Sequence, residues 1–131
     1  MTLRSWLVLI GFALLAVPAT AQTNSPAEDI SGRAEILSQD AARLFAAGEN
    51  QNALDTYQRA RKLFEQVGDR RGQGNTFKGE ADVLFVMGAS KKAIDGYKRA
   101  RELFEQVGDR RGQGSALNGC LLYTSPSPRD S

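Results

Sequence analysis

Three acids and one arginine-rich turn are the parts of this chain whose residue types and spacing could do chemistry. Glu80, Asp82 and Asp95 lie close together in sequence, as the paired carboxylates of hydrolytic acid–base catalysis can do. The turn "GDRRGQG", at Gly68–Gly74 and again at Gly108–Gly114, joins glycines and arginines to a helix start, a combination able to hold an anion. The surroundings of both argue against these roles. The acids have no nucleophile or metal-ligand cluster beside them in the sequence, and a catalytic site needs several cooperating groups. The turn lacks the GxxxxGK[ST] spacing and no strand precedes it, so neither nucleotide-binding fingerprint applies. The chain has no histidine and one cysteine, Cys120, which removes histidine triads, histidine-bearing metal sites and a disulfide within the chain. The expectation is a non-enzyme without catalytic residues, metal or cofactor, whose Arg70 and Arg71 are solvated residues of a turn.

What positions these residues is an internal repeat. "YQRARKLFEQVGDRRGQG" (Tyr57–Gly74) recurs forty residues later as "YKRARELFEQVGDRRGQG" (Tyr97–Gly114), differing only at Gln58/Lys98 and Lys62/Glu102. Upstream, "AAGENQNALDTY" (Ala46–Tyr57) matches "VMGASKKAIDGY" (Val86–Tyr97), and "DAARLF" (Asp40–Phe45) matches "EADVLF" (Glu80–Phe85). The period gives two complete units, about 30–69 and 70–109, and the start of a third at 110–119.

Each unit reads as two antiparallel helices. Ile30, Ala34, Leu37, Ala41 and Leu44 recur at steps of three and four, one apolar or small stripe of a helix that Gly48 ends. The next helix, from about Gln51 to Val67, has Ala53, Leu54, Tyr57, Ala60, Leu63, Phe64 and Val67 on its buried side. Gly68 supplies the left-handed residue after it, and Asp69 caps the helix that follows. The second unit predicts helices over about 70–87 and 91–107. No segment alternates with a period of two, so the fold class is all-α.

Ala41, Gly48, Ala53, Tyr57 and Ala60, and then Ala81, Gly88, Ala93, Tyr97 and Ala100, stand in the order and spacing of a known repeat. Over residues 30–119 the chain resembles the tetratricopeptide repeat family, in a forty-residue variant with extended helices and a "GDR.GQ" junction. The small residues let two helix backbones approach, and the tyrosines fill the space between neighbouring hairpins. The resemblance implies a right-handed solenoid of helix hairpins. It also implies a non-catalytic interaction scaffold that binds a peptide or a partner's helix in a concave groove lined by the first helix of each hairpin. Helical spacing then assigns Asn75, Lys78, Asp82, Phe85 and Val86 to that groove in the second unit, with Glu35, Ser38, Ala42 and Phe45 in the first. Lys78, Asp82 and Phe85 would grip an extended peptide through polar ends and one apolar contact; alternatively, Phe45 and Phe85 pack between helices. The family usually carries leucine just before the small residue of the first helix, where this chain has Asp40 and Glu80. Both are expected to face solvent, because carboxylates are rarely fully buried unless paired.

The two ends read differently. Arg4, the apolar run Trp6–Val17 and the small residues Ala19–Ala21 form a secretory signal over 1–21, cleaved before Gln22. The run is too short for the ~20 apolar residues of a membrane span, so the expected location is exported, periplasmic or extracellular, in a bacterium. Residues 22–29, "QTNSPAED", read as a linker. A net charge of +2 with interleaved signs leaves no nucleic-acid footprint. Glu65, Glu102 and Glu105 break the basic faces of "RARKLFEQ" and "RARELFEQ", so no membrane-surface role is expected.

At the other end the repeat register holds through Gly119 and is lost in "CLLYTSPSPRD" (Cys120–Asp130). That stretch resembles the in-frame translation of a transposase-type sequencing adapter. Residues 120–131 are therefore expected to be non-native, with the array cut at Gly119 and the Ser-Pro steps stopping the helix. An array cut there leaves an apolar helix side bare, so self-association through its C-terminal face is expected. The alternative is the N-terminal recognition array of a larger exported enzyme, such as the caspase-like peptidase-domain proteins that similar bacterial arrays precede. The reading frame beyond Gly119 separates the two.

Overall fold

The computed structural model describes residues 25–124. The signal segment 1–21, the start of the linker and the Ser-Pro tail lie outside the described residues. Five helices follow one another: α1 Pro26–Ala46, α2 Asn50–Val67, α3 Arg70–Val86, α4 Ser90–Gln106 and α5 Arg110–Thr124.

One boundary differs from expectation for a local reason. α1 starts four residues before Ile30, because "SPAE" is a capping box and not linker. The Ser25 hydroxyl accepts the Glu28 amide and the Glu28 carboxylate accepts the Ser25 amide, both at 3.3 Å. Pro26, in the first turn, has no amide to leave unsatisfied. α5 runs through Gly119 to Thr124, the last described residue before the Ser-Pro steps, and Cys120 packs onto the cluster of Ala81, Ala93 and Tyr97.

Each helix packs against the next, and α3 also touches α1 and α5, so the first helices of successive hairpins lie side by side. Inside the hairpins, fully buried small residues set the approach. Ala41 meets Ala53 with Leu54 and Tyr57, Ala34 meets Ala60 and Phe64, and Ala81 meets Ala93 and Tyr97. A larger side chain at any of these alanines would separate the helix axes.

The hairpins join through a turn of fixed chemistry. Gly68 ends α2 at φ +71°, a left-handed conformation that favours glycine. Asp69 Oδ1 then accepts the Gly72 amide at 2.9 Å, and Asp109 does the same for Gly112. Asp69→Ala is expected to cost about 1 kcal/mol, a fall in melting temperature of roughly 4–8 °C for a domain of this size. Circular dichroism melts check it, and an unchanged midpoint would show that the cap contributes nothing.

Across each junction an aromatic ring lies on a glycine. A Cβ on Gly79 would stand 2.5 Å from Tyr57 Cζ, and one on Gly72 would stand 2.6 Å from Phe64 Cγ. The arrangement repeats at Gly119 beneath Tyr97 and Gly112 beneath Phe104. Two glycines seven residues apart on one helix face are the sockets for the preceding hairpin's rings.

The same junction corrects the expectation for Glu80. Its carboxylate is buried, with the residue 7% exposed, and it accepts the Arg61 Nε–H at 2.8 Å. Arg61 Nη1 also reaches Glu65 at 2.8 Å, and its guanidinium lies 4.6 Å from the Phe77 ring centroid. A neighbouring hairpin supplies the partner that permits burial. Asp40, at the same register of α1, meets no such helix among the described residues. It remains partly exposed and pairs with Arg43 at 3.3 Å, in line with the solvent-facing expectation.

Candidate functional site

Steps of three and four place Asn75, Lys78, Asp82 and Phe85 along one stripe of α3. Glu35, Ser38 and Phe45 hold the corresponding register of α1. Asn75 and Glu35 are exposed; Lys78, Asp82, Phe85, Ser38 and Phe45 are half-buried. Ala42 and Val86 are exposed.

Lys78 and Asp82 do meet. Lys78 Nζ is 3.0 Å from Asp82 Oδ2, and the other oxygen of Asp82 accepts the Tyr97 hydroxyl of α4. Tyr57 of α2 feels the charge of the same carboxylate. Burial first, and then the charge of Asp82, raise its phenol above the ordinary tyrosine range. One carboxylate on α3 thus joins the Lys78 ammonium of its own helix to the Tyr97 hydroxyl of α4. The tyrosines were read from the sequence only as packing residues. Their phenolic tips were the signal, since a buried tyrosine usually places its hydroxyl on a partner.

The cluster belongs to one unit. Ser38 and Ala42 occupy its register on α1, and Asn118 that of Lys78 on α5. Phe45 packs against the first hairpin's core and Phe85 against the second's, so each ring is partly core and partly surface. Glu35 accepts a hydrogen bond from Gln39 Nε2 at 3.5 Å, one turn along its own helix.

Chemically the stripe offers a held ammonium–carboxylate pair, amide and hydroxyl groups, and two half-exposed rings. Such groups bind by exchange of hydrogen bonds and ion pairs. Among the described residues, no group of three or more His, Cys, Asp or Glu side chains is placed to hold a metal. Nor, among them, is any helix long and apolar enough to cross a membrane.

Antiparallel hairpins joined by small-residue contacts and ring-on-glycine junctions, with the first helices sharing one face, define an α-helical repeat solenoid. Its repeat type is settled by comparison with family models. The chain belongs to the tetratricopeptide repeat family, whose model, described as Tetratricopeptide repeat, matches residues 33–106. No curated protein and no solved structure matches the chain. Membership makes the chain a protein-interaction scaffold of a generally non-catalytic family.

Proposed function

We propose that this scaffold is exported and holds an extended peptide across the face of α1 and α3. Lys78 and Asp82 form the polar anchor, and Phe45 and Phe85 the apolar contacts. The observation that carries this reading is the Lys78–Asp82–Tyr97 cluster. Tyr97 keeps Asp82 in place when a peptide carboxylate takes Lys78, and a peptide N–H can then reach the freed oxygen of Asp82. Asn75 and Glu35 are exposed along the same face and extend it with polar contacts. Export rests on the signal pattern of residues 1–21. The exposed Val107 and Leu117 near the C-terminal end of the repeat region favour self-association through that end.

Lys78→Ala combined with Phe85→Ala is expected to reduce partner recovery in a pull-down about tenfold or more, since a few anchors carry most of an interface's affinity. Unchanged recovery, with an unchanged melting curve, would remove this face from the function.

A further inference from the structure

Between α1 and α2 the first hairpin leaves an open groove of about 510 Å³. Leu37 and Leu63 are half-buried in its floor, and Ile36 beside them is 60% exposed. Arg33 of α1 and Arg59 and Lys62 of α2 line it. None of the ion pairs among the described residues includes any of these three cations.

The repeat provides an internal control. Forty residues on, the corresponding positions hold Gln73, Thr76, Arg99 and Glu102. There Arg99 pairs with Glu102 at 3.2 Å, Thr76 is fully buried, and Arg61 of α2 lies over Phe77. That copy of the groove is covered and its charges cancel. Lys62/Glu102 is one of only two differences in an otherwise identical stretch of the repeat. In the open copy that difference replaces the single acid with a third cation.

We propose that this groove docks an acidic, leucine-bearing peptide segment of a partner protein. Its carboxylates meet Arg33, Arg59 and Lys62, and its apolar side chains lie on Ile36, Leu37 and Leu63. Like charges left unpaired around an apolar floor select an occupant of opposite charge. A second copy of this chain does not fit the open side of α1. Gln39 stands where Gly79 and Gly119 receive tyrosine rings, and Arg43 stands where Val83 is buried. Residues 1–24 contain no Asp or Glu, so that segment of the chain lacks the complementary charge. The floor is recessed between two helices with cations on both, which suits a peptide better than a flat lipid surface.

The test is fluorescence anisotropy on the full chain with a fluorescein-labelled amphipathic peptide, leucines on one face and glutamates flanking them. Binding is expected to weaken with added salt and to be absent for the version with lysine in place of glutamate. Arg33→Gln with Lys62→Glu installs residue types the fold already accepts at 73 and 102, and is expected to weaken binding about tenfold or more, ~1.4 kcal/mol per factor of ten. Lys91→Gln with Lys92→Glu makes the same change of charge on α4 and is expected to leave binding unaltered. Failure of the glutamate peptide to bind, or equal loss from both double variants, overturns the proposal. So does preferential binding of phosphatidylserine vesicles over the peptide, which would assign the groove to a membrane surface.

Discussion

Gly79→Leu is expected to open the junction between α2 and α3, at a cost of about 3 kcal/mol or more. The new Cβ alone would stand 2.5 Å from the Tyr57 ring. That ring has little room to retreat, because Tyr57 is only 7% exposed and packs with Ala41 and Ala53. Leucine gains about 1 kcal/mol of helix propensity over glycine, which is less than the overpacking it causes. Gly72→Ala poses the same contest with a smaller group. Its Cβ would meet Phe64 Cγ at 2.6 Å, so a net loss of about 1–2 kcal/mol is expected after the propensity gain. Gly32 holds the same register on α1, but a Cβ there meets no heavy atom within 4 Å. Gly32→Ala is therefore expected to stabilise by about 0.5–1 kcal/mol. Urea unfolding of the three variants checks the set. Opposite signs at Gly32 and Gly72 are the signature, and a stabilising Gly72→Ala would refute the socket.

The hairpins were legible in the sequence because their geometry is local. Ala41, Ala53 and Ala60 mark where two backbones must approach, and α2 to α4 lie within a residue or so of the expected spans. The start of α1 was equally local and was missed, since "SPAE" carries its capping box in four residues. What spacing could not show is the contact between hairpins. Lys78 and Asp82 are one helical turn apart, so their pairing follows from periodicity. The Tyr97 hydroxyl reaches Asp82 only through the way α4 lies on α3. Gly72 and Gly79 read as weak points of a helix until the rings of Phe64 and Tyr57 are placed on them. Glu80 has its partner nineteen residues earlier, and the pattern is hidden because the register carries Asp40 in the first unit and is lost after Gly119 in the third.

Arg61 and Glu80 make the second large prediction, because one is held by the other. Removing a single partner of a fully buried pair costs ~3–5 kcal/mol. Here 22% of the Arg61 side chain is exposed, so Arg61→Ala is expected to cost about 2–3 kcal/mol at neutral pH. Replacing the carboxylate instead removes the charge that needs company. Glu80→Leu leaves the part-exposed Arg61 with Glu65 and the Phe77 ring, so it is expected to cost less than Arg61→Ala, about 1 kcal/mol.

The pH dependence distinguishes this from simple loss of packing. Burial raises the Glu80 carboxyl above the usual carboxylate range, with the Arg61 hydrogen bond and charge pulling it back down. A raised value means that the folded state holds the proton more tightly. The contribution of Glu80 is thus complete below the unfolded carboxylate value of about 4.3 and is lost as pH rises through the folded value. Arg61 limits that loss, so Arg61→Ala should cost more at pH 7 than at pH 4. The part that survives at pH 4 is the Phe77 contact, about 0.5–1 kcal/mol, together with the packed stem of the arginine. Urea unfolding of the wild type, Arg61→Ala, Glu80→Leu and the double variant at both pH values closes the cycle. A coupling that is large at pH 7 and shrinks at pH 4 is expected. A pH-independent cost for Arg61→Ala would mean that the arginine acts through its stem and ring contact alone, and that α2 and α3 are joined by their rings and glycines rather than by charge.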